Sequence, residues 1–150
     1  MARLLPMTIL LFIPMFVLGS EPNGKEIRRL VVALDDANIR QGASIALANL
    51  GQPAVPALRK SLVSESKDVR LWSAYTLGQI GPLAASTVEA LNISLADADP
   101  ALRAAAAEAL GKIAAPAAVD CLINALDDEN DQVRQHAVVA LGQIGPAAST

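Results

Sequence analysis

The thirteen residues Val133 to Gly145, VRQHAVVALGQIG, recur in four versions along this chain, and that recurrence constrains the fold more than any other feature. Aligned on its arginine, this copy places Ala137, Ala140, Leu141, Gly142, Ile144 and Gly145 at the same offsets as Ala106, Ala109, Leu110, Gly111, Ile113 and Ala114 after Arg103. Arg70 leads Ser73, Thr76, Leu77, Gly78, Ile80 and Gly81, and Arg40 leads Ala43, Ala46, Leu47, Ala48, Leu50 and Gly51. An aliphatic residue precedes each arginine: Ile39, Val69, Leu102 and Val133. The four arginines are 30, 33 and 31 residues apart, a period that marks a stacked repeat array.

Within a copy the apolar positions fall at offsets −1, +3, +6, +7 and +10 from the arginine. That spacing is one face of a helix, so each copy is predicted to be an amphipathic helix, near 37–50, 68–80, 100–113 and 131–144. Glycine at the end suits a left-handed helix terminus. The nearby Pro53, Pro82, Pro116 and Pro146 stop one helix and fit the first turn of the next.

The intervening segments align as well. Ala54 to Leu62, Thr87 to Leu95 and Ala118 to Leu126 each predict a shorter first helix, followed by a polar, acid-rich turn. Side chains in those turns can cap the next helix and complement its positive end. The unit is therefore helix, acidic turn, helix, glycine-proline corner. The first unit starts near Lys25, and its Arg29 stands where later units have Ala57, Ala90 and Cys121, as suits an end cap facing water.

The chain opens differently. Arg3, an apolar run from Leu4 to Leu18 and then Gly19-Ser20 have the layout of a secretory signal peptide over 1–19, with residues 20–25 as a linker. The run is short for a span of ~20 residues and contains Pro6 and Pro14, which argues against an uncleaved membrane anchor. The expectation is an exported protein, periplasmic or extracellular, that meets the membrane only transiently. At the other end, Pro146 to Thr150 begins another first helix and then stops, so the expectation is an array truncated there, the alternative being an apolar end covered by a partner or a second copy.

Without residues 1–19 the chain keeps 11 basic and 15 acidic side chains, with Trp72 and Tyr75 as its only aromatics. A weakly acidic chain with no basic run argues against nucleic-acid binding, which needs Lys and Arg to neutralise phosphates.

The units resemble HEAT-like repeats of the short bacterial type also seen in phycobilisome lyases, with the motif best represented by Asp131, Val133-Arg134, Ala137, Ala140-Leu141-Gly142 and Ile144-Gly145. The resemblance covers residues 26–150 and implies an all-α fold, a right-handed α-solenoid of about four helix pairs. It also implies that Arg40, Arg70, Arg103 and Arg134, with Asp36, Asp68, Asp99 and Asp131, bridge neighbouring units structurally. Such arrays are scaffolds more often than enzymes, and the fold alone does not decide between these.

Few residues carry chemistry. Cys121 is a lone cysteine aligned with Ala57 and Ala90, and a small core residue is its simplest reading. His136 is the only histidine, so no histidine cluster or His-Glu pair exists to build a metal site, including that of the di-iron hydroxylases built on helical repeats. No cofactor and no metal are expected, and no glycine-rich phosphate loop or serine-nucleophile motif is present. Asn92-Ile93-Ser94 is a glycosylation sequon by pattern, inside a predicted helix.

Offsets +2, +5 and +9 of each second helix lie opposite the buried face, and in HEAT-like arrays that side lines the concave surface. They give Gly42, Ile45 and Asn49, then Trp72, Tyr75 and Gln79, then Ala105, Glu108 and Lys112, then His136, Val139 and Gln143. Aromatic residues on an exposed concave surface are common anchors of binding sites. The expected site is therefore a partner-binding face with Trp72 and Tyr75 as anchors and Gln79, Glu108, Lys112, His136 and Gln143 around them. The function read from this is a non-catalytic protein-binding or assembly scaffold for a protein partner. The alternative is a chromophore (bilin) lyase or lyase accessory subunit, which the repeat type resembles.

Overall fold

The computed structural model describes residues 23–145. The proposed signal segment and the Pro146 to Thr150 stretch lie outside the described residues. Among the described residues the secondary structure is helical throughout: α1 (Gly24–Ala33), α2 (Arg40–Leu50), α3 (Val55–Ser61), α4 (Lys67–Ile80), α5 (Val88–Ser94), α6 (Pro100–Ile113), α7 (Val119–Ala125) and α8 (Asp131–Ile144). Short 3-10 turns at Gln52–Ala54, Gly81–Thr87 and Pro116–Ala118 lead into α3, α5 and α7. The odd-numbered helices are the first helices of the four units and the even-numbered ones the second.

Helix starts follow from side-chain caps in the polar turns. Ser66 Oγ accepts from the Val69 amide at 3.3 Å, Asp99 Oδ1 from Ala101 at 2.9 Å and Asn130 Oδ1 from Gln132 at 2.9 Å. Each satisfies a backbone donor that the first helical turn leaves free. α2 lacks such a cap and begins at Arg40, three residues later than its periodicity predicts. Its turn is two residues shorter, with six positions from Leu34 to Arg40 against eight from Leu62 to Arg70. Asp36 holds that turn, accepting from the Asn38 amide at 2.8 Å. α1 begins at Gly24 rather than Lys25, capped by Asn23.

The units stack through their second helices. Gly78 and Gly111 mark the close approaches. A β-carbon on Gly78 would sit 3.0 Å from the Ala109 Cα, and one on Gly111 would sit 2.6 Å from the Ala140 Cα. α2 meets α4 through a buried bond instead. Thr76 Oγ1 donates to the Trp72 carbonyl at 2.6 Å, so Ser44 Oγ donates to Thr76 Oγ1 at 2.8 Å. Beneath lies one continuous core in which Leu47, Leu58, Leu77, Leu91, Leu110 and Leu122 are fully buried. The second helices contact one another all along the array, whereas α5 meets the next unit chiefly through the 3-10 turn before α7. The closer row is the inside of a curve, so the second helices form the concave layer.

The conserved-offset arginines each clamp their own turn and most reach forward. Nη1 of Arg70, Arg103 and Arg134 donates to the carbonyls of Ser64, Asp97 and Asp128, at 2.7, 2.9 and 2.7 Å. Across units, Arg40 pairs with Asp68 at 3.0 Å, Arg70 with Asp97 at 3.4 Å and Arg103 with Asp128 at 2.8 Å. Of the four acids expected to bridge units, Asp68 alone is placed so. Asp99 caps α6, Asp36 folds onto Asn38, and Asp131 pairs with Arg134 of its own helix. The reason is position: Asp97 and Asp128 sit on the outgoing turn facing the previous arginine, while a helix N-terminus attracts Asp99 to its own amides. Unit two has Ser64 at the equivalent place, and there Asp68 takes the arginine instead.

Candidate protein-binding surface

The second helices α4, α6 and α8 hold the residues expected to line the inner face, and the structure joins five of them into one strip. The Trp72 and Tyr75 rings meet edge to face on α4, centroids 5.4 Å apart at 70°. Lys112 of α6 carries its Nζ 5.7 Å from the Tyr75 centroid, within cation–π range. The same ammonium donates to Glu108 Oε1 at 2.6 Å, and Glu108 Oε2 lies 4.0 Å from His136 Nδ1 on α8. The strip thus crosses three units: aromatic pair, cation, carboxylate, imidazole.

Local sequence explains the strip. Trp72 and Tyr75 are three residues apart on one helix face, as Glu108 and Lys112 are four apart. The glycines at the unit contacts bring α6 and α8 close enough for Glu108 to reach His136. Gln143 faces Gly111 so nearly that a β-carbon there would overlap its amide oxygen. Gln79 is exposed on α4.

Exposure along this face is graded. Tyr75 is 39% exposed, whereas Trp72 is half-buried and leans on the core, so it both packs and presents an edge. Ala105 is buried, not exposed as its offset implies. Ile45 and Val139, at the same register on α2 and α8, are 55% and 56% exposed and extend the strip with apolar surface at both ends. Their offset in the repeat already placed them there; only their aliphatic character kept them out of the expected site.

The strip is an open surface that offers shape, an aromatic edge and fixed charges to a ligand, without an enclosed chamber. Two open surface depressions lie elsewhere: one between α3 and α5, and one along α1 beside Arg28, Arg29 and Val32. Cys121 is half-buried on α7, and Asn92 of the sequon is half-buried within α5. Among the described residues no three His, Cys, Asp or Glu side chains gather as a metal-binding group. Among them, too, no helix is long and apolar enough to cross a membrane.

Comparison with known proteins places this architecture. Human deoxyhypusine hydroxylase, solved with glycerol, is 35% identical with a TM-score of 0.64 over 81% of this chain and 44% of that one. The chain thus spans less than half the length of that protein. The complex of CpcE and CpcF of phycocyanin lyase from Nostoc sp. PCC7120 is 24% identical, with a TM-score of 0.71 over 83% of this chain and 85% of that one. An engineered protein is 23% identical, with a TM-score of 0.57 over 79% and 62% of the two chains. No curated protein sequence matches. The family described as HEAT repeats matches residues 27–93 and 87–150, and with the four stacked helix pairs this establishes that the chain belongs to the HEAT-repeat family.

Proposed function

We propose that this chain is a non-catalytic binding or assembly module whose concave face receives a helix or extended segment of a protein partner. The observation that carries the reading is the continuous strip from Trp72 and Tyr75 through Lys112 and Glu108 to His136. A preformed face on the order of 30–40 Å long suits such a segment and needs little ordering on binding. The half-exposed aromatic pair anchors it, and Gln79 and Gln143 add hydrogen-bonding capacity at the edges. The apolar run before Gly19 supports reading the chain as exported, with the membrane met only during export.

The test is crosslinking and capture from the native envelope with the wild-type chain and a Trp72→Ala/Tyr75→Ala double variant matched for helicity. A protein held by the first and lost by the second supports the reading. An unchanged capture list removes the site from this face. A second reading, a chromophore lyase or its accessory subunit, draws on the likeness to the phycocyanin lyase complex, which spans 85% of that chain. Pigment absorbance retained through purification would favour it over the scaffold.

A further inference from the structure

Lys112 is the one basic side chain that the second helices carry beyond their first four residues; Arg40, Lys67, Arg70, Arg103 and Arg134 all stand at helix starts, beside the acidic turns. Its stem crosses onto α4 where Gly78 leaves room, a β-carbon there lying 3.6 Å from Lys112 Cδ. The ammonium comes to rest 5.7 Å from the Tyr75 centroid and 2.6 Å from Glu108 Oε1, with Trp72 edge to face against Tyr75. An aromatic pair and a carboxylate around one ammonium are the parts of a cation receptor, and the chain's own lysine fills it.

That lysine is held loosely. Lys112 and Glu108 side chains are 32% and 31% exposed and lie four residues apart on one helix, an arrangement that contributes little in water. Glu108 Oε2 is 4.0 Å from His136 Nδ1, too far for a hydrogen bond, so the carboxylate has room for a second donor. A guanidinium offers Glu108 two parallel N–H groups and Tyr75 a flat face, and an ammonium offers neither. An arginine side chain therefore displaces Lys112, whereas another lysine only exchanges one ammonium for the next.

The charge of the whole chain acts in the same direction. Its formal net charge is −3, and the exposed Asp35, Glu65, Asp127, Glu129 and Asp131 gather in and beside the turns before the second helices. The arginines among them are engaged by turn carbonyls and neighbouring acids. Such a field draws in a basic segment and repels an acidic one.

We propose that the segment received by the concave face is basic and anchors through an arginine side chain that takes the place of Lys112 between Tyr75 and Glu108. This rests on the binding-module reading and names the chemistry of the partner. Lys112 is then a built-in competitor that selects arginine over lysine.

Trp72 is the only tryptophan of the chain, so its emission reads the site directly. The probes are hexa-arginine, hexa-lysine and hexa-glutamate peptides, titrated at ~0.15 M salt. Hexa-arginine should change the emission saturably, hexa-lysine roughly tenfold more weakly, and hexa-glutamate not at all. Lys112→Met removes the competitor and keeps the stem, so it should tighten hexa-arginine binding roughly threefold. Glu108→Gln should weaken it roughly tenfold. Far-ultraviolet dichroism checks that both surface variants are folded. No saturable response to hexa-arginine overturns the proposal, and so does one that survives Glu108→Gln, as binding at the acidic turns would give. Weaker binding by Lys112→Met, or a response to hexa-glutamate, overturns it in favour of an acidic partner held by the ammonium. A captured protein that is lost with Trp72→Ala/Tyr75→Ala but kept by Glu108→Gln leaves the binding module standing and removes the arginine anchor.

Discussion

Arg103 and Asp128 grip each other through two hydrogen bonds across a unit boundary, Nε to Oδ2 at 2.8 Å and Nη2 to Oδ1 at 2.9 Å, with both side chains about nine-tenths buried. The hydrogen bond from Arg103 is the main reason the Asp128 carboxyl titrates below its ordinary range, burial opposing it. Asp128→Ala leaves the guanidinium buried beside an exposed Glu129 and should cost about 2–4 kcal/mol in denaturant unfolding. Because the folded carboxyl is the more acidic, this stabilisation is complete above the usual aspartate pKa and is lost as pH falls below about 4. The Arg103 pKa is raised, chiefly by the same hydrogen bond, and its share is lost only in strong alkali. Melts of wild type and Asp128→Ala should therefore converge in acid.

Two glycines at the same offset differ in what surrounds them among the described residues. Gly111→Ala puts a β-carbon 2.6 Å from the Ala140 backbone and should destabilise the chain by about 1–3 kcal/mol. Gly142→Ala meets no neighbour and should stabilise it by about 0.5–1 kcal/mol, the ordinary helix preference of alanine. Denaturant midpoints at low protein concentration compare them, and equal shifts would contradict the contact at Gly111.

The offsets that distinguish those glycines were legible in the sequence, because a repeat writes each packing position several times. Gly78, Gly111 and Gly142 announce one role, and so do the arginines and the core leucines. What was not legible depends on what happens between units. The acids that pair with Arg70 and Arg103, namely Asp97, Asp128 and Glu129, lie in the turn five or six residues before the next arginine and not at the helix start, so an alignment on the helices pointed to Asp99 and Asp131 instead. The offset of six residues before the arginine holds Asp97 and Asp128 and would have revealed them. The inner strip was placed by register, but its internal geometry was not: that Lys112 sits between Tyr75 and Glu108 requires the spacing between α4 and α6.

Trp72 reports on that strip. Its ring is half-buried and its edge-to-face partner is Tyr75. Emission of the folded protein should fall between the buried and the water-exposed limits and be partly quenched by acrylamide. Tyr75→Ala should shift emission to the red, remove much of the near-ultraviolet dichroism of the pair, and cost on the order of 1 kcal/mol. An unmoved spectrum would place the two rings apart.

Ala114 is the last test, because it takes the corner position that glycine holds in the other units. Gly51, Gly81 and Gly145 have φ of 66°, 71° and 43°, and Ala114 has φ of 56°. The glycines pair this with ψ between −126° and −141°, a region closed to side chains, whereas Ala114 takes ψ of 47°, the left-handed helical well. The extra Ala115 makes this milder turn sufficient, continuing extended with ψ of 105° before Pro116. Alanine in the left-handed well costs about 1 kcal/mol, and glycine returns part of that through the unfolded chain. Ala114→Gly should therefore stabilise the protein by about 0.5 kcal/mol, while Gly81→Ala, with no such relief, should destabilise it by more than that. The pair is read by denaturant unfolding, and a destabilising Ala114→Gly would mean that the corner of unit three is not left-handed.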